Sequence, residues 1–232
     1  MTNISTTNEP AGITNAVLYS ALSAYGADDP TVFHTYFNDF DVFTAGDWTG
    51  TATGSVTNAI IAGDGGLLSL INSASLNDLD SLQLKVATFA LVSNYKAWFK
   101  TRFSLSNATN AALTIGLIQT TTTPLTVTDG IYFSKAAAST TLTAKVAKSS
   151  TASSVNVGTL ANATYVNVGW HYNGTSAIDI YLNNVKVGSL PLTNIPTANL
   201  NLTMAVANGT AAAITLNVDY IFASTERPST NL

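Results

Sequence analysis

Ala97-Trp98-Phe99-Lys100-Thr101-Arg102-Phe103-Ser104-Leu105 is a nine-residue run with a period of two. Ala97, Phe99, Thr101, Phe103 and Leu105 share one parity, and Trp98, Lys100, Arg102 and Ser104 the other. Side chains alternate across a strand, so such a run has one dry face and one wetter face. The pattern recurs along the chain. Val166, Val168, Trp170 and Tyr172 alternate with Asn167, Gly169 and His171, and Ile178, Ile180 and Leu182 with Asp179 and Tyr181. Leu200, Leu202, Met204 and Val206 alternate with Asn201, Thr203 and Ala205. Leu216, Val218, Tyr220 and Phe222 are read as dry, with Asn217, Asp219 and Ile221 on the wetter side. One-sided strands of this kind build antiparallel sheets.

Turn signals separate these runs. Asp64-Gly65-Gly66, Thr128-Asp129-Gly130, Tyr172-Asn173-Gly174 and Asn208-Gly209 supply residues that tolerate positive φ. Asn183-Asn184 reads as a two-residue hairpin between Tyr181-Leu182 and Val185-Lys186-Val187. Roughly a dozen strands are expected, at the spacing of a sandwich or barrel. Ala87–Val92 is apolar on both parities and reads as a strand buried on both faces.

Three segments follow. Residues 1–35 form an N-terminal arm, 36–226 the β-sandwich and 227–232 a polar tail. Val17, Leu18, Ala21, Leu22 and Tyr25 sit near helical spacing, so a short helix is expected over 14–25. It packs on its own sandwich or docks on a neighbouring protein, and the sequence leaves both open. Val17, Leu18 and Leu22 are the candidate partner contacts.

The 232 residues contain no cysteine, which excludes disulfide frameworks and zinc–thiolate sites. Only 9% are charged, against about 25% in ordinary domains. The net charge is −4 and the nine Lys and Arg are scattered, so no nucleic-acid partner is expected. Residues 1–10 lack a basic and an apolar stretch, and no apolar run is long enough for a membrane helix. Synthesis in a cytoplasm, with no membrane partner, is the expectation.

Catalytic chemistry finds little support. A sugar hydrolase needs two carboxylates flanking the scissile bond. The only two Glu, Glu9 and Glu226, stand near opposite ends of the chain. His34 and His171 have no Gly-x-Ser-x-Gly elbow to serve. Asp179 and Asp219 read as solvated strand positions. Asn38-Asp39-Phe40-Asp41 and Asn77-Asp78-Leu79-Asp80 place oxygen ligands close together. Neither matches a calcium-loop pattern, and Asn and Asp are common turn formers. No enzyme activity, metal or cofactor is expected.

Several stretches together resemble a known family. They are Lys96–Leu105, Ile115-Gly116-Leu117, Thr123-Pro124-Leu125 and Thr128-Asp129-Gly130-Ile131-Tyr132-Phe133. Val168-Gly169-Trp170-His171-Tyr172-Asn173-Gly174, Asp179–Gly188 and Leu216–Ser224 followed by Glu226-Arg227 complete the set. The pattern resembles the concanavalin A-like (laminin G-like) jelly roll. More closely it resembles capsid decoration, or cement, proteins of tailed bacteriophages, over residues 28–227. The resemblance implies a two-sheet antiparallel sandwich, a homotrimer, and binding to the major capsid protein on the outside of the virion. The alternative is a carbohydrate-binding module or head-fibre adhesin of a virion. Trp170 and Tyr172 share the dry parity and should be buried. Trp98 and Tyr181 share the wetter parity, and are therefore the candidates for a glycan or partner contact.

Overall fold

The computed structural model describes residues 32–63 and 65–228. The expected helix over 14–25, with Val17, Leu18 and Leu22, lies outside these residues, as does the end of the tail.

The described residues form fifteen strands. They are β1 Phe33–Asn38, β2 Trp48–Thr53, β3 Val56–Ile61, β4 Leu67–Asn72 and β5 Leu79–Leu84. Then come β6 Ala97–Leu105, β7 Ala111–Ile118, β8 Gly130–Lys135, β9 Thr141–Lys148 and β10 Thr151–Thr159. The last five are β11 Val166–Tyr172, β12 Ile178–Leu182, β13 Val185–Leu190, β14 Asn201–Asn208 and β15 Thr215–Glu226. They build two antiparallel sheets, a jelly-roll sandwich. One, of eight strands, runs β13-β12-β11-β6-β15-β4-β3, with β1 also paired to β15. The other, of seven, runs β10-β9-β8-β7-β14-β5-β2.

Alternation explains the core. Phe99 and Phe103 from β6, Val168 and Trp170 from β11, and Ile178 and Ile180 from β12 face inward from one sheet. Ile115, Leu117, Phe133, Leu202, Met204 and Val206 meet them from the other. Phe99 and Trp170 lie parallel in this layer, centroids 5.9 Å apart. The hairpin at Asn183-Asn184 forms as read, with φ of 49° and 65° at the two turn residues.

Two readings change. The β6–β15 register shifts between Val218 and Tyr220. This bulge holds Asp219 as an extra residue, and it reverses the parity of the rest of β15. Ile221 and Ala223 therefore enter the core at 0% exposure, while Tyr220 and Phe222 turn outward and stay half-buried. Residues 87–92 do not form a strand. Phe89 alone is bridged, to Leu200, and it is the one buried side chain of the segment.

Candidate functional site

The outward face of the eight-stranded sheet carries the residues that sequence parity singled out. Trp98 and Tyr181 do point outward, but both are only 4% exposed. They pack together with Phe33 and Phe222 as a second apolar cluster. Phe33 arrives on β1 and meets the Trp98 ring edge-on, centroids 6.0 Å apart. Their expected exposure is therefore corrected: parity gives the face a side chain points to, and here that face is itself covered. His171 is buried beside them and has no hydrogen-bond partner at either ring nitrogen. Burial lowers its pKa.

The same face holds ion pairs. Arg102 Nη1 donates to Asp219 Oδ2 at 2.6 Å, and its guanidinium lies 4.4 Å from the centre of the Tyr165 ring. Asp219 is thus a paired carboxylate rather than a solvated one, re-aimed by the bulge. Tyr220 donates to Asn167 Oδ1 at 3.0 Å, and burial raises its pKa. Lys186 on β13 reaches Asp179 at 2.8 Å, and Ser189 donates to the same oxygen.

The outward face of the seven-stranded sheet is made of hydroxyls, amides and small residues. Ser81 and Gln83 on β5 stand opposite Ala205 and Thr203 on β14, with Thr114 and Gly116 of β7 beyond. Gln83 Nε2 donates to Thr203 Oγ1 at 2.9 Å, and Thr121 N donates to Gln83 Oε1 at 3.1 Å. Asn201 Nδ2 donates to Leu84 O and Thr120 Oγ1. Val127 packs on Ile118, Tyr132 and Ala147. The loop between β7 and β8 thereby roofs one end of this face. Sequence reading missed that roof, because Thr120 to Thr123 looks like any polar loop.

A groove of about 370 Å³ opens beside β1, lined by His34, Thr88, Thr225, Glu226 and Arg227 among others. His34 Nε2 bonds Thr88 Oγ1 at 2.9 Å. Its pKa is lowered by burial first and by Arg227 second. Glu226 is occupied, accepting from Lys96 N at 2.6 Å. Among the described residues no three of His, Cys, Asp and Glu gather as a metal centre, and no helix is long and apolar enough to cross a membrane.

No protein-family model matches the chain, and no curated protein matches it significantly. Solved structures do match in fold. A protein of unknown function from Shewanella oneidensis MR-1 is 16% identical with a TM-score of 0.61, over 88% of this chain and 91% of that one. The endo-1,3-beta-glucanase from Streptomyces sioyaensis is 11% identical with a TM-score of 0.60, over 88% and 100%. The carbohydrate recognition domain of Emp47p is 12% identical with a TM-score of 0.59, over 85% and 98%. The chain therefore has the jelly-roll fold of glucanase and lectin domains. At these identities the likeness extends to the fold alone.

Proposed function

We propose that the protein is a non-catalytic docking sandwich, a decoration protein on the outer surface of a tailed-phage capsid. The observation that carries this reading is the character of the two outermost strands of the eight-stranded sheet. β13 exposes Val185 and Val187, and β3 exposes Ile60 and Ile61. Edge strands are usually blunted with charge to prevent association. β3 has no charged residue, and the lysine of β13 is folded back onto Asp179. Such edges lose little hydration when covered, which suits close packing on a shell. The resemblance in sequence and the low charge of the whole chain point the same way. Three copies acting together would turn weak contacts into tight attachment.

A catalytic role fits poorly with the same geometry. The outward positions of the seven-stranded sheet carry Ser, Thr, Ala, Gly, Asn, Gln, Leu, Tyr, Ile and Lys, and no carboxylate pair to flank a sugar bond.

The test is co-sedimentation of the purified protein with capsids that lack it, with its ratio to the shell protein measured. A fixed ratio is expected, with at least a tenfold loss of occupancy for Val187→Glu combined with Ile61→Glu. No co-sedimentation, and absence from purified virions, would overturn the reading. Light scattering checks the trimer.

A second reading is glycan binding. It is favoured by the carbohydrate recognition domain among the fold neighbours, while the amide and hydroxyl row of Gln83, Asn201 and Thr203 is at most 1% exposed and presents no open sugar face. Trp98 and Tyr181 cannot serve as stacking platforms while buried. A glycan array with no bound ligand removes this reading.

A further inference from the structure

At one end of the sandwich the space between the sheets is polar. Asp80 on β5 lies opposite Val206, a core residue of β14, so its carboxyl points inward, and it is 1% exposed. Asp78, two residues earlier, is 4% exposed. Neither pairs with a Lys or Arg among the described residues. The other sheet brings Asn72 from β4 and Asn58 from β3, where Asn58 stands opposite Leu70, another core residue.

The amide orientations are set by their donors. Asn72 Nδ2 donates to Asp78 O at 3.0 Å and to Val206 O at 3.2 Å. Asn58 Nδ2 reaches within 3.5 Å of Asp80 Oδ1. Turning either amide over would set oxygen against oxygen. Three acceptor-only oxygens are left buried with no donor: Asn58 Oδ1, Asn72 Oδ1 and Asp80 Oδ2. Buried acceptors without donors are costly, and buried carboxylates without a cation more so. Asp78 is partly satisfied, since Ser73 Oγ donates to it.

We propose that this pocket binds one calcium-type divalent cation, through the Asp80 carboxylate and the amide oxygens of Asn58 and Asn72, with Asp78 as the second negative charge. Hard divalent cations take carboxylate and amide oxygens, and calcium tolerates irregular sets of them. Two carboxylates balance its charge. The site lies close to the sheet edges. β5 and β4 are each one strand in from β2 and β3, the edges of their sheets. This inference stands apart from the docking reading, and either can fail alone.

The full chain, stripped with EDTA at pH 7.5, is titrated with calcium chloride by calorimetry and followed by thermal unfolding. One equivalent should bind, with a saturable rise in Tm. Asp80→Asn should abolish both. Asn58→Ala, at the half-buried rim, should weaken binding at least tenfold while leaving the fold intact. No heat and no rise up to about 10 mM calcium, beyond the weakest ordinary sites, overturns the proposal. So does an unchanged response in Asn58→Ala, or an equal response to sodium or potassium alone.

Discussion

The indole of Trp98 stacks on the imidazole of His171, ring centroids 5.2 Å apart and planes 25° apart. The two residues are register partners on β6 and β11. The pair explains why a histidine with no hydrogen bond persists on this face: its ring serves as a packing surface. The cost falls on its charged form.

That cost gives a pH dependence with a definite sign. Burial lowers the folded pKa of His171 below the unfolded value near 6.5. Asp179 and Glu226 oppose this and Lys96 adds to it. As pH falls through about 6.5 the unfolded chain takes up the proton first, so stability is lost toward acid. His171→Phe keeps the stacking surface and has no proton to bind. Its Tm should exceed that of wild type by more at pH 5 than at pH 7.5. Melting curves across this range check it, and a gap independent of pH would refute the assignment. His34 shifts in the same direction, but it is present in both proteins and cancels.

Trp98→Ala should destabilise by about 3–5 kcal/mol, the usual cost of emptying a buried aromatic site. Urea midpoints measure it. A cost below about 1 kcal/mol would mean that Trp98 is a surface contact residue, as its parity alone suggests.

The fold was largely legible because period-two alternation is a direct consequence of strand geometry. Phe99, Phe103, Val168, Trp170 and Ile180 were placed in the core by parity and are there. Parity failed where a single residue is inserted. Asp219 is polar on a polar-parity position, so nothing local marks it as a bulge, yet it moves Ile221 inward and Tyr220 outward. Parity also cannot report what lies above a face, which is why Trp98 and Tyr181 were expected in the open. The candidate cation pocket was half visible. Asn77-Asp78-Leu79-Asp80 stood out in sequence, but its partners Asn58 and Asn72 come from the opposite sheet, a relation that only topology supplies.

The bulge has its own test. Asp219 is re-aimed onto Arg102, whose side chain is 38% exposed. Asp219 itself is only 13% exposed, but the Arg102 end of the pair is open to solvent, so Asp219→Asn should cost about 1 kcal/mol at low salt. The difference should shrink in about 1 M sodium chloride, where the Debye length is near 3 Å. Urea denaturation at both salt levels reads it out. A larger, salt-independent loss would show that Asp219 holds the bulge itself.

Lys135 makes the opposite case, a cation that is buried and satisfied. It is 3% exposed, and its Nζ donates to the carbonyls of Thr109, Ala111 and Ala136. It therefore ties the segment leading into β7 to the end of β8. Burial pushes its pKa down to about 8, so at neutral pH the ammonium form still holds these carbonyls. Lys135→Met keeps the aliphatic stem and strands the acceptors. Each unsatisfied buried group costs about 1–3 kcal/mol, and some of these carbonyls would find water, so a net loss of about 2–4 kcal/mol is expected. Lys135→Arg should not rescue it, because the planar guanidinium fork does not match carbonyls gathered around a single nitrogen. Chemical denaturation of both variants decides the matter. If Lys135→Met is as stable as wild type, the ammonium contributes only its stem.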